Sequence, residues 1–357
     1  MTSERSEKAT INDINSKKEK REDVKFLWIG LSFAAIYTTI IFLLDPLLNE
    51  TTLLPDQGST WYFWKLPDRE TITMIIVWTF YVIHQLLVWY AFYKARHSNP
   101  VWGTKLKKWN YFSLVVNVVF GILHIVQSHI WYDGLAQDVP IWTSQGSVII
   151  MLVMMLTMEN KRRGLIAGKS VPYPEPFAKE MRTILKEYHG YIFLWAFTYT
   201  FWFHPTVGTM GQLSGFFYLL ALLLQGSLMY TKVHLNRYWT AFLEGFVAIH
   251  GTLVAIQNGN DLWPMFFFGF MAMVVFTYLY GINIPKYSRW FAIISYFCLV
   301  IAVYNFRGWA KINEIIRIPL ILWLASLAVA LVVKIGLVIW HKKNPNKTPG
   351  DSLAKWN

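Results

Sequence analysis

Cysteine is almost absent from this chain of 357 residues. The single Cys298 excludes an internal disulfide, a CxxC redox pair and any iron–sulfur cluster held by the chain's own thiolates. Metal chemistry would have to use histidine, carboxylate or amide ligands. Charge is scarce too: 15% of residues are charged, 55% are hydrophobic, and mean hydropathy is +0.34. That leaves too little polar surface to coat a soluble globule of this size. No G-x-S-x-G, Walker A, H-E-x-x-H or D-x-[DN]-x-[DN]-G pattern occurs, which removes the usual soluble-enzyme chemistries. No motif is specific enough to name a family.

What the chain does have is long apolar stretches. A bilayer crossing needs about 20 such residues, and ten segments qualify: 24–45, 72–95, 109–132, 140–159, 189–206, 212–232, 238–257, 262–283, 288–305 and 317–341. The fold class expected is an all-α integral membrane protein, with about ten transmembrane helices in one bundle spanning 24–341. Residues 1–23 are highly charged and lack an apolar h-region, so they read as a disordered cytosolic tail and not a signal peptide. Residues 342–357 read as a second cytosolic tail.

Lys and Arg set the orientation. With the N-terminus inside, the 94–108 and 160–188 loops and the loops holding Lys232, Arg237, Lys286 and Arg289 share that side with the tail carrying Lys342, Lys343 and Lys347. The other side keeps Lys65, Arg69, Arg307, Lys311 and Arg317. This is the bias of an N-in, C-in protein of the cell membrane. The net charge of +12 then reflects this asymmetry and attraction to anionic headgroups. The lipid bilayer is the expected partner, together with a lipophilic or small-molecule substrate; nucleic acid is not.

Two connections carry more than a turn. Around 177–188, Phe177, Met181, Ile184, Leu185 and Tyr188 alternate at helical spacing with charged residues, which predicts an amphipathic helix on the inner surface. The first outer loop holds Trp61, Tyr62, Phe63 and Trp64, suited to an interfacial plug, and Asn49–Thr51 match a glycosylation sequon.

Histidines supply the candidate chemistry. His84, His124 and His250 interrupt three spans, at 11, 14 and 12 residues from their inner ends, so at 1.5 Å per residue they lie within about 5 Å of one depth. His129 and His204 lie farther outward. Ionisable groups at such depth are costly and commonly functional. Imidazoles from several helices can ligate copper, iron or zinc, or hold haem b axially. The resulting expectation is a membrane oxidoreductase or hydroxylase with His84, His124 and His250 as inner ligands and His129 and His204 as additional ones. The structural alternative is that each histidine hydrogen-bonds a neighbouring helix.

Below them, Glu244, Gln225 and Asn117 share a depth and predict a lower polar layer with a catalytic or proton-carrying role. No Lys or Arg is placed at the depth of Glu244 in a neighbouring span. Glu244 is therefore expected to be buried and protonated, bonded to Gln225 or Asn117. The rival expectation is a proton-coupled transporter in which Glu244 and His250 form the relay, and His84 and His250 occupy the second spans of two inverted five-helix halves.

Overall fold

The computed structural model describes residues 21–48, 51–55, 57, 62–98, 100–170, 177–259 and 261–344. Residues 1–20 and 345–357 of the two tails, Asn49 and Glu50 of the sequon, and Trp61 lie outside the described residues. Ten α-helices are formed among those described: α1 (Glu22–Leu44), α2 (Thr71–Arg96), α3 (Lys108–Trp131), α4 (Trp142–Arg163), α5 (Phe177–Phe203), α6 (Met210–Ser227), α7 (Arg237–Gln257), α8 (Trp263–Phe276), α9 (Lys286–Arg307) and α10 (Glu314–Lys343). They fall on the ten apolar stretches, and no strand forms among the described residues beyond isolated bridges. Seven are long and apolar enough to cross a membrane: α1–α3, α7, α8 with the 3-10 turn that follows it, α9 and α10.

The other three are α4, α5 and α6, of which α6 is deeply enclosed while α4 keeps Trp142, Ile149 and Ile150 exposed. Helix α6 buries 11 of its 18 residues, whereas α9 buries only Tyr296, Val300 and Tyr304 out of 22. A helix surrounded by protein can carry Ser, Thr, Gln and Gly on faces that lipid would forbid, and its hydropathy falls accordingly. The close approaches bear this out. A Cβ on Gly215 of α6 would stand 2.8 Å from Cε1 of His250 on α7, and one on Gly190 of α5 would run into the Phe92 ring of α2.

The helices pack as two groups. Helix α6 packs on α1, α3, α5 and α7, and α2 bridges α3 and α5; this group holds the largest core, centred on Trp202, Phe201 and Tyr37. Helix α4 joins this group to the second, packing on both α5 and α10, and α8 lies against α7, α9 and α10 around Leu156, Met273 and Phe270. The helices therefore do not separate into two contiguous halves, because α4 packs on both α5 and α10, and α6 on both α1 and α7.

The predicted surface helix at 177–188 is corrected as well. It forms no separate element; α5 runs unbroken from Phe177 to Phe203. Its inner end is held by an ion pair between Glu187 and Arg96.

Side-chain and backbone bonds tie the connections together at the two ends of the helices. At one end Asp23 accepts from the backbone N–H of Val233 at 2.8 Å and is gripped by Arg21, while Lys232 N–H donates to Gly103 O at 2.7 Å. At the other, Arg69 binds Asp133 at 2.8 Å, Lys65 donates to Gln137 O at 2.8 Å, and Tyr62 and Trp64 close on His204. The described part of the aromatic loop therefore does sit over that end of the bundle.

Candidate functional site

His84 on α2 is fully buried and both its ring nitrogens are engaged. The indole N–H of Trp202 can only donate, so Nδ1 of His84 accepts it at 3.1 Å and the imidazole proton must sit on Nε2. Nε2–H then donates to Oδ1 of Asn117 at 2.9 Å. The Asn117 amide passes the chain on to Ser227 Oγ at 2.8 Å, where Ser113 Oγ also meets it at 2.9 Å. Phe120 stacks on the imidazole with centroids 4.6 Å apart. This satisfied polar spine ties α5, α2, α3 and α6 together. It leaves His84 no lone pair for a metal.

The other histidines have different partners. His124 donates through Nε2 to the carbonyl of His204 at 3.0 Å, and its Nδ1 has no partner. His204 meets Tyr62 OH through Nδ1 at 3.2 Å and stacks on that ring. His129 turns back onto the Ile125 carbonyl of its own helix at 2.8 Å, leaving Nε2 unpartnered. His250 joins α7 to α6 through Ser214 Oγ at 3.1 Å. Among the described residues no three His, Cys, Asp or Glu side chains come together as a metal-binding group. His84 and His124 lie on the same Trp202 ring, with centroids 6.4 and 4.5 Å from it, and His204 meets His124 through its carbonyl, while His250 stands apart on α7.

Glu244 departs furthest from expectation. Neither Gln225 nor Asn117 is its partner: Asn117 belongs to the His84 spine, and Gln225 accepts from Trp239 Nε1 at 2.7 Å while donating to His234 O at 3.0 Å. Nδ1–H of His234 returns to the Gln225 carbonyl at 2.8 Å, and burial lowers the His234 pKa to about 4. The carboxylate of Glu244 instead forms a salt bridge with Nη1 of Arg163, with side-chain exposures of 2% and 1%. The expectation that no cation sits at its depth is thereby corrected.

Arg163 comes from the last turn of α4, which the sequence reading placed in an inner loop as one of several topogenic charges. Two turns bring it inward. Gly164 and Gly168, at φ +74° and +77°, permit the tight reversal in which Leu165 N–H bonds Lys169 O at 2.9 Å, and Thr277 Oγ caps the Leu165 carbonyl at 2.7 Å. That reversal docks on the 3-10 turn Tyr278–Gly281, whose Tyr278 ring lies under the guanidinium with 4.6 Å from its carbon to the ring centre. Arg162, one residue earlier, faces out to Glu159 and the Gly281 carbonyl.

Around the pair, α4 contributes Arg162 and Glu159, α6 contributes Tyr218, and α8 offers no titratable side chain before Tyr278. Oε1 of Glu244 and both Nε and Nη2 of Arg163 lack hydrogen-bond partners. A signal for Arg163 was in the sequence: Leu152, Leu156, Asn160 and Arg163 continue one stripe at four-and-three spacing, and all four are buried. The arrangement is a buried ion pair with unused donors on one side and an unused acceptor on the other. No protein-family model, curated protein or solved structure matches this chain.

Proposed function

We propose that this protein is a ten-span carrier of the cell membrane, N-in and C-in, that moves a small solute together with a proton. The reading is supported by seven apolar helices, by three further helices packed among them, and by the Lys/Arg asymmetry of the loops. The observation that carries the functional reading is the buried Arg163–Glu244 pair.

Breaking a buried pair by neutralising one partner leaves an uncompensated charge, at a cost of about 3–5 kcal/mol. Protonation of Glu244 therefore becomes favourable only when something else neutralises Arg163. An anionic group beside the guanidinium does that. Ionised Glu244 with Arg163 has no net charge, and protonated Glu244 with Arg163 and a monoanion has none either. Proton and solute enter and leave the low-dielectric site together, because either alone strands a charge. His250, six residues outward along α7 and joined to Ser214, is the group placed to relay the proton.

The test uses proteoliposomes with a pH-sensitive dye inside and an inward acid gradient. Carboxylates, amines and sugars are added in turn. One class should drive proton movement that is lost with Glu244→Gln; no movement with any class sinks the reading.

A second reading has one observation in its favour. Nδ1 of His124 and Nε2 of His129 are unpartnered on α3, near His204, and imidazole nitrogens of this kind suit copper, iron, zinc or haem b. The reaction would be oxidation or hydroxylation of a lipophilic substrate. Elemental analysis with an absorption spectrum of the purified protein decides it, since stoichiometric absence of metal and haem after supplementation removes it.

A further inference from the structure

We infer that the side-on edge of Arg163 is the binding site for a carboxylate group, which on the carrier reading belongs to the transported solute. A guanidinium offers two distinct edges. Glu244 takes Nη1, while Nε and Nη2, which point the same way along the other edge, have no partner in a side chain that is 1% exposed. Two parallel N–H donors at this spacing match the two oxygens of one carboxylate.

The same chain uses that edge elsewhere, and Arg307 holds Glu314 through Nε and Nη2 at 2.7 and 3.0 Å. Arg21 holds Asp23 through Nε and Nη2 at 3.2 and 2.8 Å. Arg69 holds Asp133 through Nε and Nη2, both at 2.8 Å. At Arg163 both nitrogens of that edge are without a hydrogen-bond partner.

The surroundings narrow the ligand further. Tyr278, a member of the cluster that also holds Leu156 and Met273, covers one face of the guanidinium. Arg162, the neighbouring cation, is committed to Glu159 and Gly281 O, and the Glu244 carboxylate lies alongside. A dianion such as phosphate would meet a single positive charge already shared with the adjacent Glu244 carboxylate. A planar monoanion with an apolar body meets a fork, a ring and hydrocarbon. Oε1 of Glu244, when protonated, can donate to a ligand oxygen; when ionised, it can accept from a hydroxyl.

The site is tested on the full chain in detergent with radiolabelled benzoate as probe and acetate, octanoate, phosphate and sulfate as competitors. Saturable benzoate binding displaced by carboxylates, but not by phosphate or sulfate, is the expected result. Displacement by both acetate and octanoate points to a water-soluble carboxylate, and by octanoate alone to a fatty acid from the bilayer. Arg163→Lys keeps the charge and loses the fork, so it should weaken binding by at least about tenfold.

Should that variant fail to fold, the competition pattern of the unmodified protein still decides. Absence of saturable binding by any carboxylate, or equal displacement by phosphate, overturns the inference. Its failure is separable from that of the carrier reading. Carboxylate binding with no proton movement in proteoliposomes removes the carrier and leaves the site, whereas proton movement driven only by an amine or a sugar removes the site and leaves the carrier.

Discussion

Arg163 at the end of α4 and Glu244 in α7 stand 81 residues apart in the chain and form an ion pair shielded from solvent on every side. Each charge is tolerable in the bundle only because of the other. In the proposed carrier that dependence is what couples the site to protons, and it makes the pair separable by mutation from ordinary packing.

Single substitutions at the pair should be far worse than the double one. Arg163→Met or Glu244→Met alone strands a buried charge and is expected to cost about 3–5 kcal/mol, while Arg163→Met combined with Glu244→Met should be neutral or stabilising by about 1–4 kcal/mol. Thermal unfolding in detergent across the four proteins measures this. A double variant as unstable as the sum of the singles would mean the two side chains do not interact.

His84 is expected to act as a hydrogen-bonding hub. His84→Ala strands the Trp202 indole N–H and the Asn117 carbonyl oxygen, at about 1–3 kcal/mol each, and should leave the content of any bound metal unchanged. A stoichiometric drop in copper, iron, zinc or haem on His84→Ala, in protein that remains folded, would restore it as a ligand.

How much of this was legible beforehand differs by level. The helices were, because each falls on an unbroken apolar stretch, and seven of them are long and apolar enough to cross a membrane. Helix α5 was only half legible: charges in its first turns obscured that Phe177 and Phe203 belong to one element. The site was legible as depth but not as position. Glu244 stood out as a carboxylate inside a span, yet Arg163 was lost among Lys161 and Arg162, since nothing in a run of basic residues says which one turns inward. That is decided by the Gly164–Lys169 reversal and its docking on Tyr278, a tertiary fact.

His234 makes stability depend on pH from the acid side. Its folded pKa is lowered to about 4 from an ordinary 6.5, so the unfolded chain binds the proton more readily. Its contribution is complete above 6.5 and is lost as pH falls through 4. His234→Gln should flatten this part of the profile. Unfolding midpoints between those two pH values check it, and identical slopes for the two proteins would remove His234 from the titration.

Orientation is open to labelling. In a Cys298→Ala background, Asn258→Cys should react with an impermeant maleimide added to intact cells, and Ser170→Cys only after permeabilisation. Both positions are exposed in the fold. The reverse pattern would invert the topology and place the Arg163 site near the outer face.

Proton movement into proteoliposomes carrying Glu244→Gln is the most direct measurement of the coupling. Glutamine keeps a hydrogen bond to Arg163 but has no carboxylate to titrate, so benzoate binding should persist and confirm the fold while solute-driven acidification falls to the level of empty vesicles. Acidification at the rate of the unmodified protein, with binding intact, would show that Glu244 carries no proton and would contradict the coupling.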